Sequence, residues 1–189
     1  SAYLTASMIY LYIPMIPDIA ILRDRLDKRK LLYSVLAMGW RGTARQQKVL
    51  NRAIAIMAVL VIPVAVSVHT VVSFVFSMTL QPMWHSTIFG PYFVVGAIFS
   101  GIAALIAAMV AFRKAYGLES YLKPIHFRYL GQLLLVMSLL WFYFTFAEYL
   151  TGYYGGEPEE MKVFWAKWNG PFWPFFWGMA LTNFVIPIL

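Results

Sequence analysis

Apolar residues fall into five long runs, at 1–22, 53–80, 90–112, 129–150 and 171–189, separated by short stretches that hold nearly all the charge. Each run is about the 20 residues that a helix needs to cross a hydrocarbon core of roughly 30 Å. The pattern predicts an all-α, polytopic transmembrane helix bundle. Residues 1–22 form one span, 23–52 an amphipathic cytoplasmic connector, and 53–189 a four-helix transmembrane bundle. Within the runs, Pro14 and Pro17 of "IPMIPDI" are expected to break or kink the first span near Asp18, and Pro63 to kink the second. Gly90-Pro91 is expected to open the third. In "GAIFSGIAALIAAM", Gly96, Ser100 and Ala104 recur at every fourth position with Gly101 beside them, a small-residue stripe that lets a neighbouring helix approach.

Composition agrees with this reading. The chain is 61% hydrophobic and only 12% charged, where a soluble domain carries about a quarter charged residues. No initiator Met opens it, no signal peptide is evident, and both ends fall inside apolar runs, so the sequence is expected to be part of a larger membrane protein. There are no cysteines, which excludes disulfides, thiolate zinc sites and the ligands of an iron–sulfur cluster on this chain.

The net charge of +7 does not form one basic face, and nucleic acid is not an expected partner. Thirteen of the fifteen Lys and Arg residues lie at 23–52 and 113–128. The stretch 81–89 has none, and 151–170 has only Lys162 and Lys167 against Glu157, Glu159 and Glu160. The positive-inside rule puts the two basic connections in the cytoplasm and the other two outside. Trp84, Tyr92, Tyr153, Tyr154, Trp165, Trp168 and Trp173 crowd the outer ends, where aromatic rings ordinarily anchor a helix at the lipid headgroups. The segment "DRLDKRKLLYSVLAMGWRG" is expected to lie along the inner headgroups, its bases attracted to anionic lipid.

An ionisable side chain at membrane depth costs about 2.5–3.5 kcal/mol on insertion scales, so it normally faces protein or a water-filled cavity. Asp18, His69 and Glu148 are the candidates. His69 falls near the middle of its span, Asp18 near the cytoplasmic side of the first, and Glu148 near the outer end of the fourth. His69 shares a helix face with Ser73, Phe76 and Ser77, and Ser138, Trp141, Thr145 and Glu148 follow the same periodicity. Two such polar stripes facing one another can hold water and pass protons; equally, their members can simply hydrogen-bond helices together. A bis-histidine haem needs two histidines at similar depth, but His85 lies at the outer boundary and His126 in a cytoplasmic connection. His69 is too isolated for a metal site, and no metal site is expected.

"SVHTVVSFVFSM", "PMWHSTIFGPYFVVGAIFSG" and "FAEYLTGYYGGEPEE" resemble the second half of NrfD/PsrC-type membrane subunits of quinone-linked oxidoreductases. They are most similar to the homologous C-type and F-type membrane subunits of bacterial alternative complex III, and the likeness covers nearly all 189 residues. The resemblance implies a protein of eight to ten spans in two bundles, with this chain holding the second four-helix bundle. It further implies menaquinol oxidation at the outer face of the bacterial cytoplasmic membrane and proton movement through the bundles. The implied partners are a homologous NrfD-like membrane subunit, a periplasmic iron–sulfur subunit and c-type cytochrome subunits. Clusters and haems sit on those partners, and no cofactor is expected on this chain, menaquinol excepted. Carried onto this sequence, the family's polar residues are His69, His85, Glu148 and Asp18, with Ser73 and Thr145 as further relay candidates and Trp84-His85 at the partner or quinol side. Where the quinol-binding C-type pattern has an acid about a turn and a half after the helix-two histidine, this chain has Val75, which favours the F-type. The alternatives are the quinol-oxidising subunit itself and a plain membrane anchor.

Overall fold

The computed structural model describes residues 2–26 and 29–188. Asp27 and Lys28, within the expected connector, lie outside the described residues. The chain divides into two compact units, 1–68 and 69–189. Every element among the described residues is helical.

In the first unit, α1 (Ala2–Tyr12) passes through one 3₁₀ turn, Ile13–Met15, into α2 (Ile16–Arg25). Pro14 lies inside that turn and Pro17 in the first turn of α2, and neither can donate to the ladder, so the helix tightens where the disruption is expected. A short α3 (Lys30–Leu36) packs back on α2. There Tyr12 Oη donates to the Leu36 carbonyl and Arg23 Nη1 donates to the Trp40 carbonyl at 3.1 Å. Helix α4 (Ala44–Ser77) then begins nine residues before the apolar run. Its start is a reciprocal cap: the Gln46 amide donates to Thr43 Oγ1 at 3.2 Å, and the Thr43 amide donates to Gln46 Oε1 at 3.4 Å. Arg45, Lys48 and Arg52 therefore ride on the first turns of a helix. The helix continues through Pro63 and carries its last nine residues, from His69, into the second unit.

The second unit adds α5 (Phe89–Tyr116), α6 (Pro124–Gly155), α7 (Pro158–Trp168), α8 (Trp173–Ala180), a π-helical turn at Leu181–Val185 and a final turn, α9 (Ile186–Ile188). Helices α5 and α6 make the principal interface, α7 lies against α6 and α8, and 181–188 returns to α6. His126, expected in a connection, lies in the first turn of α6, where its Nδ1 accepts the Lys123 amide at 3.2 Å.

Four helical stretches are long and apolar enough to cross a membrane: Ala2–Arg25, Ala44–Ser77, Phe89–Tyr116 and Pro124–Gly155. The fifth apolar run forms the shorter helix Trp173–Ile188. This is a multi-pass membrane protein. Its burial pattern fits that solvent. Large apolar side chains such as Val75, Leu80 and Phe146 point outward, while Ser73, Ser77 and Ser138 are almost wholly buried. Lipid is as apolar as leucine, so helices gain from close contact and internal hydrogen bonds more than from hiding hydrocarbon.

Candidate functional site at the ends of α5 and α6

Residue Trp141 organises the α5–α6 interface. Its ring stacks on Tyr92 at 5.4 Å and 19°, lies nearly parallel to Phe99 at 6.3 Å, and meets Phe184 at 5.4 Å. A Cβ on Gly96 would stand 3.0 Å from Trp141 Nε1, so this member of the small-residue stripe makes room for an indole, not for a backbone. Gly101 faces open space, and the Ser100 hydroxyl donates to its own helix at Gly96.

One turn beyond Trp141, the buried Thr145 donates through Oγ1 to the Trp141 carbonyl at 2.8 Å and lies 3.4 Å from the Tyr92 hydroxyl. One further turn on, Glu148 is half-buried. It lines a cavity of about 130 Å³ with Trp84, Tyr92, Thr145, Tyr149 and Lys167. Lys167 reaches this place from α7, its Nζ 5.7 Å from the centre of the Tyr149 ring, within cation–π range. The turn after α7 requires glycine at 170, because a Cβ there would come within 2.6 Å of Ala166 Cα. Burial pulls the Lys167 ammonium below its ordinary pKa, and the Glu148 carboxylate opposes that shift.

Two larger hollows flank this cluster. One, of about 720 Å³, shares Tyr92, Tyr149 and Lys167 and is otherwise mostly apolar, with Trp141, Phe172 and Phe176 among its walls. The other, about 370 Å³, is lined by Tyr149, Tyr153, Phe164 and Trp168 among others. Trp168 Nε1 is buried and has no acceptor among the described residues.

Thr145 and Glu148 thus come together, with Trp84 at the same cavity. His69 is elsewhere: half-buried on α4, its ring centre 6.3 Å from that of Phe93. Ser73 donates to the Thr70 carbonyl of its own helix at 2.7 Å. The stripes of α4 and α6 each meet α5, through Phe93 on one side and Tyr92 on the other. Asp18 is exposed in the first turn of α2, in the first unit. His85 is exposed, with Nε2 at 3.0 Å from Glu160 Oε1. Tyr92, Tyr149 and Lys167 are site residues that sequence reasoning missed. The available signal was the amphipathic stretch 158–168, which has an isolated lysine among tryptophans.

No curated protein matches the chain. The family model described as "Polysulphide reductase, NrfD" matches residues 1–189, and its members are membrane subunits of quinone-linked oxidoreductases that typically partner with iron–sulfur subunits. With its long apolar helices and this match over its whole length, the chain belongs to the NrfD family.

Proposed function

We propose that this chain is a proton-coupling membrane subunit, of the F-type, in a menaquinol:acceptor oxidoreductase of the alternative complex III class. Its partners in that reading are a homologous NrfD-like subunit, a periplasmic iron–sulfur subunit and c-type cytochromes in a bacterial cytoplasmic membrane. The observation that carries it is the Tyr92–Thr145–Glu148–Lys167 cluster around one small cavity.

A carboxyl group and an ammonium group bordering one semi-enclosed space can exchange protons with water held there. A volume of about 130 Å³ has room for a few waters, each of which occupies about 30 Å³ in the liquid. Glu148 is the group that takes and releases the proton, Lys167 sets the charge it works against, and the Thr145 and Tyr92 hydroxyls orient the waters. His69, on α4, serves as a deeper station. Asp18 stands for uptake from the cytoplasm, and Ser73 donates to a second acceptor when its bond to Thr70 opens.

Glu148→Gln keeps the shape and removes the titratable group. The complex carrying it should assemble with its haems, oxidise quinol in detergent, and lose proton movement in sealed vesicles. Undiminished proton movement would overturn the proposal. A second reading, that this chain itself binds menaquinol, is favoured by the 720 Å³ cavity, which has the size of a ligand pocket, an aromatic lining and polar groups at Tyr92, Tyr149 and Lys167. Under that reading a photoreactive quinone labels Phe172–Met179, and Tyr149→Leu abolishes quinol oxidation in detergent with haems intact. A plain membrane anchor would leave both variants at wild-type activity.

A further inference from the structure

We propose that His85, Glu157 and Glu160 form a binding site for a divalent cation of the zinc class. His85 lies in the connection between α4 and α5; Glu157 occupies the position just before α7, with no capping hydrogen bond from its side chain, and Glu160 lies in the first turn. More than 70 positions separate the histidine from the acids, and Gly156, at φ 63°, turns the chain out of α6 so that the acids reach it.

The donor atoms of the three side chains all lie within 4.8 Å of one another. Around a tetrahedral zinc with bonds of about 2.0–2.1 Å, donors stand about 3.3 Å apart. The His85 Nε2 to Glu160 Oε1 separation of 3.0 Å is already close to such an edge, so rotamer adjustment of Glu157 closes the triangle. One imidazole nitrogen and two carboxylate oxygens suit zinc and its neighbours; calcium and magnesium prefer oxygen alone. A fourth position remains for water.

Acids at a helix N-terminus ordinarily serve the helix dipole, and Glu159 shows that role: exposed, and paired with Lys162 at 2.7 Å. Glu160 behaves differently. Its side chain is only 16% exposed, and it pairs with the His85 imidazole at 3.0 Å. Among the described residues neither Glu157 nor Glu160 forms an ion pair with Lys or Arg. A cation here supplies the missing positive charge. It also staples the α4–α5 connection to α7, the helix that carries Lys167 to the cavity.

The test uses the assembled complex, stripped with chelator and titrated with Zn²⁺ by calorimetry and zinc-edge X-ray absorption. Wild type should bind one more zinc than His85→Gln or Glu160→Gln, or bind it at least about tenfold more tightly, with a nitrogen and oxygen shell at about 2.0–2.1 Å. Lys162→Gln should bind as wild type does. His85→Cys should retain the metal and add one sulfur at about 2.3 Å, which separates loss of a ligand from loss of structure. Equal zinc binding by wild type, His85→Gln and Glu160→Gln would overturn the proposal. So would the absence of sulfur in His85→Cys, or displacement of zinc by an equal concentration of Ca²⁺.

Discussion

Trp141 Nε1 lies 3.0 Å from the point a Cβ on Gly96 would occupy, so α5 and α6 meet with no space for a methyl group between them. A branched side chain there must push the indole out of its stack with Tyr92 and Phe99. Gly96→Val should destabilise the assembled subunit by about 1–3 kcal/mol, the range for overpacking. Thermal unfolding followed by tryptophan fluorescence measures it, and an unchanged Tm would show that the indole has somewhere else to go.

Ser138 is buried and donates to the Asn183 carbonyl at 2.5 Å, inside the π-helical turn. That turn has a different ladder, and the serine holds one of its carbonyls to α6. Ser138→Ala should cost about 1 kcal/mol. Backbone amide exchange at 183–188 should quicken while that of α5 stays constant.

Lys167 carries a pKa lowered by burial from the ordinary 10.5. Between the lowered value and 10.5 the unfolded chain holds more protons than the folded one, so stability rises with pH through that window. The gain is absent at lower pH, where both states are protonated. Subtracting the profile of Lys167→Met from that of wild type isolates the lysine, and the difference should climb toward alkaline pH. A flat difference would mean that the ammonium is solvated.

His69 is an ionisable side chain within the apolar part of α4, and the proposed relay needs it as a proton carrier. Both His69→Leu and His69→Gln should assemble with haems intact and oxidise quinol in detergent, and both should lose proton movement in vesicles. Full proton movement with Gln would make His69 a hydrogen-bonding strut beside Phe93.

The charge pattern predicts sidedness. Cysteines placed at Arg45 and at Lys162, both exposed, should label from opposite faces of the membrane. Labelling from one face would overturn the alternating five-span reading.

Hydropathy alone determined the class of this protein, because a run of about 20 apolar residues has few stable states other than a membrane helix. The proline break near Asp18 and the opening of α5 at Gly90-Pro91 were legible for the same local reason: a ring without an N–H acts on its own turn. The start of α4 was missed: hydropathy placed it at 53 because charged turns do not register as apolar, and the cap between Thr43 and Gln46 nine residues earlier was not read. Periodicity put Thr145 and Glu148 on one face of α6. It could not show that Tyr92 closes on them from 53 positions away, or that a folded-back α7 brings Lys167 to Glu148. Nor could spacing bring His85 to Glu160. Those meetings depend on which helices pack together and how the connections turn, and side-chain period within one helix carries no information about the next. The division of the polar stripes between two sides of α5 was likewise decided by packing, with Phe93 facing His69 and Tyr92 facing Thr145.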